Sequence, residues 1–140
     1  MRSFLFIGVF LCFFTCLASA QRKEGNCPHV LDSVTKKLVF TFVDKMPEPI
    51  GGQDKMLRYI SKNLKPDSAD LSTRIIVGFI IEKDGNIDGG RIIKDNSSRR
   101  ITAKRLLDLL KMVKWIPGSC NRKNVAVLYE LPMTIDYSDQ

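Results

Sequence analysis

The stretch Arg74 to Lys94, RIIVGFIIEKDGNIDGGRIIK, reads as a β-hairpin. Ile75-Ile76-Val77-Gly78-Phe79-Ile80-Ile81 is rich in β-branched and aromatic residues, as a buried strand is. Lys83-Asp84-Gly85-Asn86 follows, and Asp-Gly between apolar runs is the strongest short hairpin signal, since the turn needs positive φ. The return strand runs from Ile87 to Ile93 and is interrupted by Gly89-Gly90. A glycine pair inside a strand predicts a bulge or a place where another part of the chain comes close.

Outward from the hairpin, the periodicity changes. Met56, Leu57, Ile60 and Leu64 recur at helical spacing, so a helix is expected from about Gln53 to Leu64. Asp54 in its first turn suits the helix dipole, and Lys65-Pro66 stops it. On the other side, Ala103, Leu106, Leu107, Leu110 and Val113 form the stripe of a second helix. Asn96, Ser97 or Ser98 caps it, and it runs to about Lys114. Trp115-Ile116-Pro117-Gly118 marks a corner, with Trp115 expected as a core anchor.

Two further strands flank this unit. Lys37 to Lys45 (KLVFTFVDK) is β-branched and aromatic, and Met46 to Gly52 breaks it with two prolines and two glycines. Asn124 to Leu131 alternates Val125, Val127 and Tyr129 against Ala126 and Leu128, and Pro132 is expected to end it or to lie at a sheet edge. The order is strand, helix, hairpin, helix, strand. Each helix has one apolar stripe to bury. The expected fold is therefore α+β, a small mostly antiparallel sheet with two helices packed on one face.

The ends bound the context. Arg2 precedes the apolar run Phe4 to Phe14 (FLFIGVFLCFF), and Ala18-Ser19-Ala20 is a small-x-small cleavage site, so residues 1–20 read as a signal peptide. Left uncleaved, Phe4 to Ala20 barely reaches the length of a spanning helix, roughly 17–25 residues, and would be an inner-membrane anchor. Cleavage removes Arg2, Cys12 and Cys16 and lowers the formal net charge from +7 to +6. Residues 21–36 read as a polar leader and residues 37–138 as one domain, which suits the usual domain size. The remaining cysteines, Cys27 and Cys120, are expected to pair, because export delivers the chain to an oxidising compartment.

The residues give no constellation for catalysis. The single histidine, His29, lies in the leader and cannot make a zinc site alone. Phosphate-loop, nucleophile-elbow and metalloprotease motifs are absent from the sequence. Asp84, Asn86 and Asp88 lack the spacing and closing glutamate of a calcium loop, so no metal or other cofactor is expected. Arg99, Arg100, Lys104 and Arg105, with Arg122 and Lys123, read as solvated faces, and nucleic acid is not an expected partner of an exported chain.

Five segments occur in an order that resembles the C-terminal domain of the TonB family, especially its short stand-alone Bacteroidetes-type versions. They are Val43-Asp44-Lys45-Met46-Pro47-Glu48 with Gly51-Gly52; Tyr59-Ile60-Ser61-Lys62-Asn63-Leu64; Val77 through Ile87; Trp115-Ile116-Pro117-Gly118; and Val127-Leu128-Tyr129-Glu130-Leu131-Pro132. The chain departs from the pattern in Glu48-Pro49-Ile50 before the glycine pair and in Lys65-Pro66-Asp67 after the first helix. The resemblance implies a periplasmic binding module, not an enzyme, that captures an extended segment of an outer-membrane receptor or other envelope protein by strand addition. The matching residues are Asn124, Val125, Ala126, Val127, Leu128, Tyr129, Glu130 and Leu131. Two alternatives accompany it: a self-associating envelope protein that dimerises through the same strand, and a membrane-tethered component of energy transduction.

Overall fold

The computed structural model describes residues 26–65, 72–97 and 101–136. Residues 1–25, 66–71, 98–100 and 137–140 lie outside the described residues, and with them the stretch read as a signal peptide and the candidate cap Ser98. In chain order the elements are β1 (His29–Leu31), β2 (Leu38–Phe40), β3 (Glu48–Pro49), α1 (Gln53–Asn63), β4 (Ser72–Ile81), β5 (Ile87–Asp95), α2 (Ile101–Met112), β6 (Trp115–Ile116), β7 (Gly118–Cys120), β8 (Lys123–Val125) and β9 (Val127–Asp136).

The main sheet has the order β1-β2-β9-β4-β5. Its frame is β4, the apolar run of the hairpin, flanked by β5 and β9. The β4–β9 pairing is antiparallel and unbroken from Ser72↔Asp136 to Ile81↔Val127. Every pairing is antiparallel except the single parallel bridge Phe40↔Val127 that joins β2 to β9. The expected α+β class, with its mostly antiparallel sheet, is what the chain adopts.

Side chains alternate across a strand, so Ile75, Val77, Phe79 and Ile81 of β4 share a face with Tyr129, Leu131, Met133 and Ile135 of β9. Both helices cover that face, burying Met56 and Ile60 of α1 and Ala103, Leu106, Leu107 and Leu110 of α2 against it. Trp115 completes this core, its ring centroid 5.7 Å from Phe79 and 5.4 Å from Tyr129. Among the described residues, the opposite face carries a smaller apolar cluster at one end, where Val39, Ile80 and Ala126 pack together.

The hairpin turn forms as its residues require. Gly85 has φ 82, and a Cβ there would strike the carbonyl oxygen of Trp115, so glycine is needed for both conformation and space. The register of β4 against β5 shifts between Gly78 and Ile80, opposite Gly89-Gly90. The expected bulge is present, and another part of the chain does approach: a Cβ on Gly89 would lie 2.7 Å from Cγ2 of Thr35.

Four boundaries differ from the expectation. First, the strand foreseen over Lys37 to Lys45 is only Leu38–Phe40: the Thr41 N–H still donates across to the Pro28 carbonyl, but Pro28 has no N–H to return and the ladder ends there. Second, the leader is not free of structure, since His29–Leu31 pairs with β2 as β1. Third, Asn124 and Val125 belong not to the last strand but to β8, which forms a separate two-stranded ribbon with β7. Fourth, the last strand continues through Pro132 to Asp136. Trp115-Ile116, read as a corner, pairs with Glu48-Pro49 in a second small ribbon.

The N-terminal segment is tied down in two ways. A disulfide joins Cys27 to Cys120, as expected, with Cα atoms 6.4 Å apart, inside a cluster with Val43, Val125 and Val127. The turn between β1 and β2 is held by Asp32, a buried acid. Its carboxylate accepts from the Thr35 N–H and hydroxyl and from Arg91 of β5. Those contacts, the Thr35 N–H first, outweigh the opposing effect of burial and hold the Asp32 pKa down at about 2. Beside it Lys37 bridges Glu82 at 2.7 Å and Asp88 at 2.8 Å.

Candidate functional site

β9 is central in strand order, yet one of its two edges is mostly uncovered. On its inner side it pairs with β4 over its whole length. On its outer side β2 reaches only Val127, through the Phe40 N–H donating to the Ala126 carbonyl at 2.8 Å. Main-chain groups of successive residues point to opposite sides of a strand. With the Ala126 carbonyl directed at β2, those of Leu128, Glu130, Pro132 and Thr134 face the same way, and those of Tyr129, Leu131 and Met133 face β4.

This alternation explains Pro132. It stands opposite Ile76, but its missing N–H falls on the outer side, so the ladder to β4 loses no bond. Glu130, Pro132 and Thr134 are all exposed. Together they offer outward N–H groups at Glu130 and Thr134 and outward carbonyls at all three, with no protein partner among the described residues.

Two clefts flank this open edge. One, of about 400 Å³, is lined by Thr41, Met46, Leu128, Tyr129 and Glu130, where β2 leaves β9. The other, of about 230 Å³, lies at the far end between α1 and β9, its walls including Leu57, Ile60, Leu64, Met133 and Ile135.

Of the residues expected to bind a partner, the structure brings only Leu128 to Leu131 to this edge. Asn124 lies in β8, its side-chain amide donating to the Lys83 carbonyl at 3.3 Å. Val125 is buried in the disulfide cluster. Ala126 is already engaged by β2, and the main chain of Val127 faces β4. Pro132, Met133 and Thr134, at the centre of the open edge, were not anticipated. Their signal was present in the sequence, where Met133 and Ile135 alternate with Thr134 and Asp136 past the proline.

The other singled-out residues are placed as follows. His29 is exposed, its ring 5.6 Å from that of Phe40. Cys27, Cys120 and Asp44 bring three ligand-type atoms close together, but the two sulfurs are bonded to each other, and the Asp44 carboxylate accepts from the Asn121 N–H at 2.7 Å. Asp84 accepts from the Asn86 N–H and side chain within the turn, which holds its pKa below the usual carboxylate value. Asp88 faces Lys37, so these acids do not converge on one point. Lys104 and Arg105 lie on α2, whereas Arg122 lies in the turn between β7 and β8 and Lys123 opens β8.

Among the described residues, no helix is long and apolar enough to cross a membrane. No protein-family model and no curated protein matches the chain.

Proposed function

We propose that the protein is an exported, periplasmic binding module that captures an extended segment of an outer-membrane receptor or another envelope protein by adding it as a strand beside β9. The observation that carries this reading is the open outer edge at Glu130, Pro132 and Thr134, backed over its full length by the rigid pairing of β9 with β4. Main-chain bonds to such an edge supply affinity, and flanking pockets supply specificity. The resemblance to TonB C-terminal domains points to the same mode at the same strand. The binding residues are Leu128 to Thr134 rather than Asn124 to Leu131.

Pro132 favours a foreign segment over a second copy. An antiparallel pairing of two copies centred on Pro132 would set proline against proline and leave both outward carbonyls without a donor. Interior proline is one way that edge strands resist self-pairing.

The test is a pull-down from envelope extract with residues 21–140 as bait, in parallel with a Thr134→Pro bait. The substitution deletes one outward donor and leaves the ladder to β4 intact. Outer-membrane receptors retained by the first bait and lost from the second are the expected result. Equal retention by both would place binding elsewhere, and no capture would remove the proposal's support.

A further inference from the structure

The cleft between α1 and β9 has the size and chemistry of a receptor for one side chain. At about 230 Å³ it falls below the roughly 300–1,000 Å³ of small-molecule pockets. Its walls are mainly apolar, from Leu57 and Ile60 on the helix, Leu64 just past its end, and Met133 and Ile135 on the strand. Leu57 stays 41% exposed, an apolar wall that no other described element covers.

Its position ties it to the open edge. Directly opposed residues on neighbouring strands carry their side chains on the same face of the sheet. In a strand added beside β9, residues opposite Met133 or Ile135 therefore point toward the helices, as Met133 and Ile135 do, and one of them enters the cleft. Four residues along the added strand, the side chain opposite Tyr129 again faces the helix layer and reaches the second cleft at Thr41 and Met46.

The charge beside the cleft narrows the occupant further. Besides its apolar walls it is lined by Ser61 of α1 and by Thr134 and Asp136 of β9, so the one charged group on its wall is an acid. An uncharged side chain suits such a wall, since an acidic one would meet a like charge there.

Building on the strand-addition reading, we infer that this cleft selects the partner: it takes one large apolar side chain, leucine or phenylalanine in size, from an extended segment added beside β9. The edge provides sequence-independent main-chain bonds, and the cleft sets the register in which the segment lies.

The experiment is selection of binders from a display library of random linear peptides against residues 21–140. The selected peptides are then titrated into isotope-labelled protein and into two variants. Leu57→Gln makes the wall polar, and Ser61→Trp fills the cleft from an exposed position. Thermal unfolding checks that both variants remain folded. The expected peptides share a large apolar residue at one fixed position, and shift the amides of Glu130, Leu131, Met133 and Thr134. They bind either variant about 10- to 100-fold more weakly, the range for losing burial of one such side chain. Peptides that shift the β9 edge without a fixed apolar residue, and bind both variants equally, would overturn the cleft assignment and leave strand addition standing. Peptides that bind away from β9, or no enrichment at all, would overturn both.

Discussion

Replacing the bridging cysteines together, Cys27→Ala with Cys120→Ala, frees a loop whose ends lie 93 residues apart in sequence. In the chain-entropy account, closing a loop of that length stabilises the fold by about 4.6 kcal/mol at 25 °C, by restricting the unfolded chain. The two buried sulfurs also pack against Val43, Val125 and Val127, and losing each adds about 1 kcal/mol. For a chain of this size, 1 kcal/mol corresponds to about 4 °C in unfolding midpoint, so the bridge alone predicts a fall of about 20 °C. The assay is thermal unfolding of residues 21–140 followed by circular dichroism, with the unsubstituted protein under a phosphine reductant as the control for side-chain packing. Both samples should drop, the variant by about 8 °C more, and the amides of His29–Leu31 should lose exchange protection first. A drop of under about 5 °C in both, equivalent to roughly 1 kcal/mol, would refute the reasoning, because the bridge would then not be what pins the N-terminal segment.

Three further outcomes are expected. Asp32 has a folded pKa of about 2 against an ordinary 3.8, so its stabilisation is present above the higher value and lost as pH falls through the lower. Acid unfolding should show a pH-dependent loss of about 2 kcal/mol over that window, and Asp32→Asn should flatten it. Val127→Pro should abolish folding, since Val127 is fully buried and its main chain faces β4, whereas Thr134→Pro should shift the urea midpoint by under about 1 kcal/mol equivalent. Gly85→Ala should destabilise by about 2 kcal/mol or more in urea unfolding, given its positive φ and the Trp115 carbonyl in the way.

The parts of the fold that were legible from sequence are those whose information is local. The β4–β5 hairpin was carried by its Asp-Gly turn, α1 and α2 by apolar stripes at helical spacing, and the bulge by Gly89-Gly90. The disulfide followed from counting the cysteines that remain when residues 1–20 are read as a signal peptide. The β1–β2 pair and the ribbons β3–β6 and β7–β8 were not legible. Each strand is only two or three residues long, too short for a period, and forms because distant segments meet. Asp32 and Arg91 are 59 residues apart, and neither looks unusual alone. Leu128 to Leu131 were correctly placed on the last strand, but its extent was misjudged because Pro132 read as a stop. A proline ends a strand only when its missing donor faces the ladder, and that orientation depends on which side β4 occupies. The apolar cleft was invisible for the same reason, since its walls come from two elements that only the fold brings together.

Hydrogen exchange at single-residue resolution tests the central claim, that the outer edge of β9 is open and is where a partner strand adds. In the free domain the amides of Glu130 and Thr134 should exchange fast and those of Leu131 and Met133 slowly, an alternation set by which side each N–H faces. Saturation with a captured receptor segment should slow Glu130 and Thr134 to the rate of their neighbours. Protection of Glu130 and Thr134 already in the free monomer would contradict the open edge, and continued fast exchange in the complex would contradict strand addition.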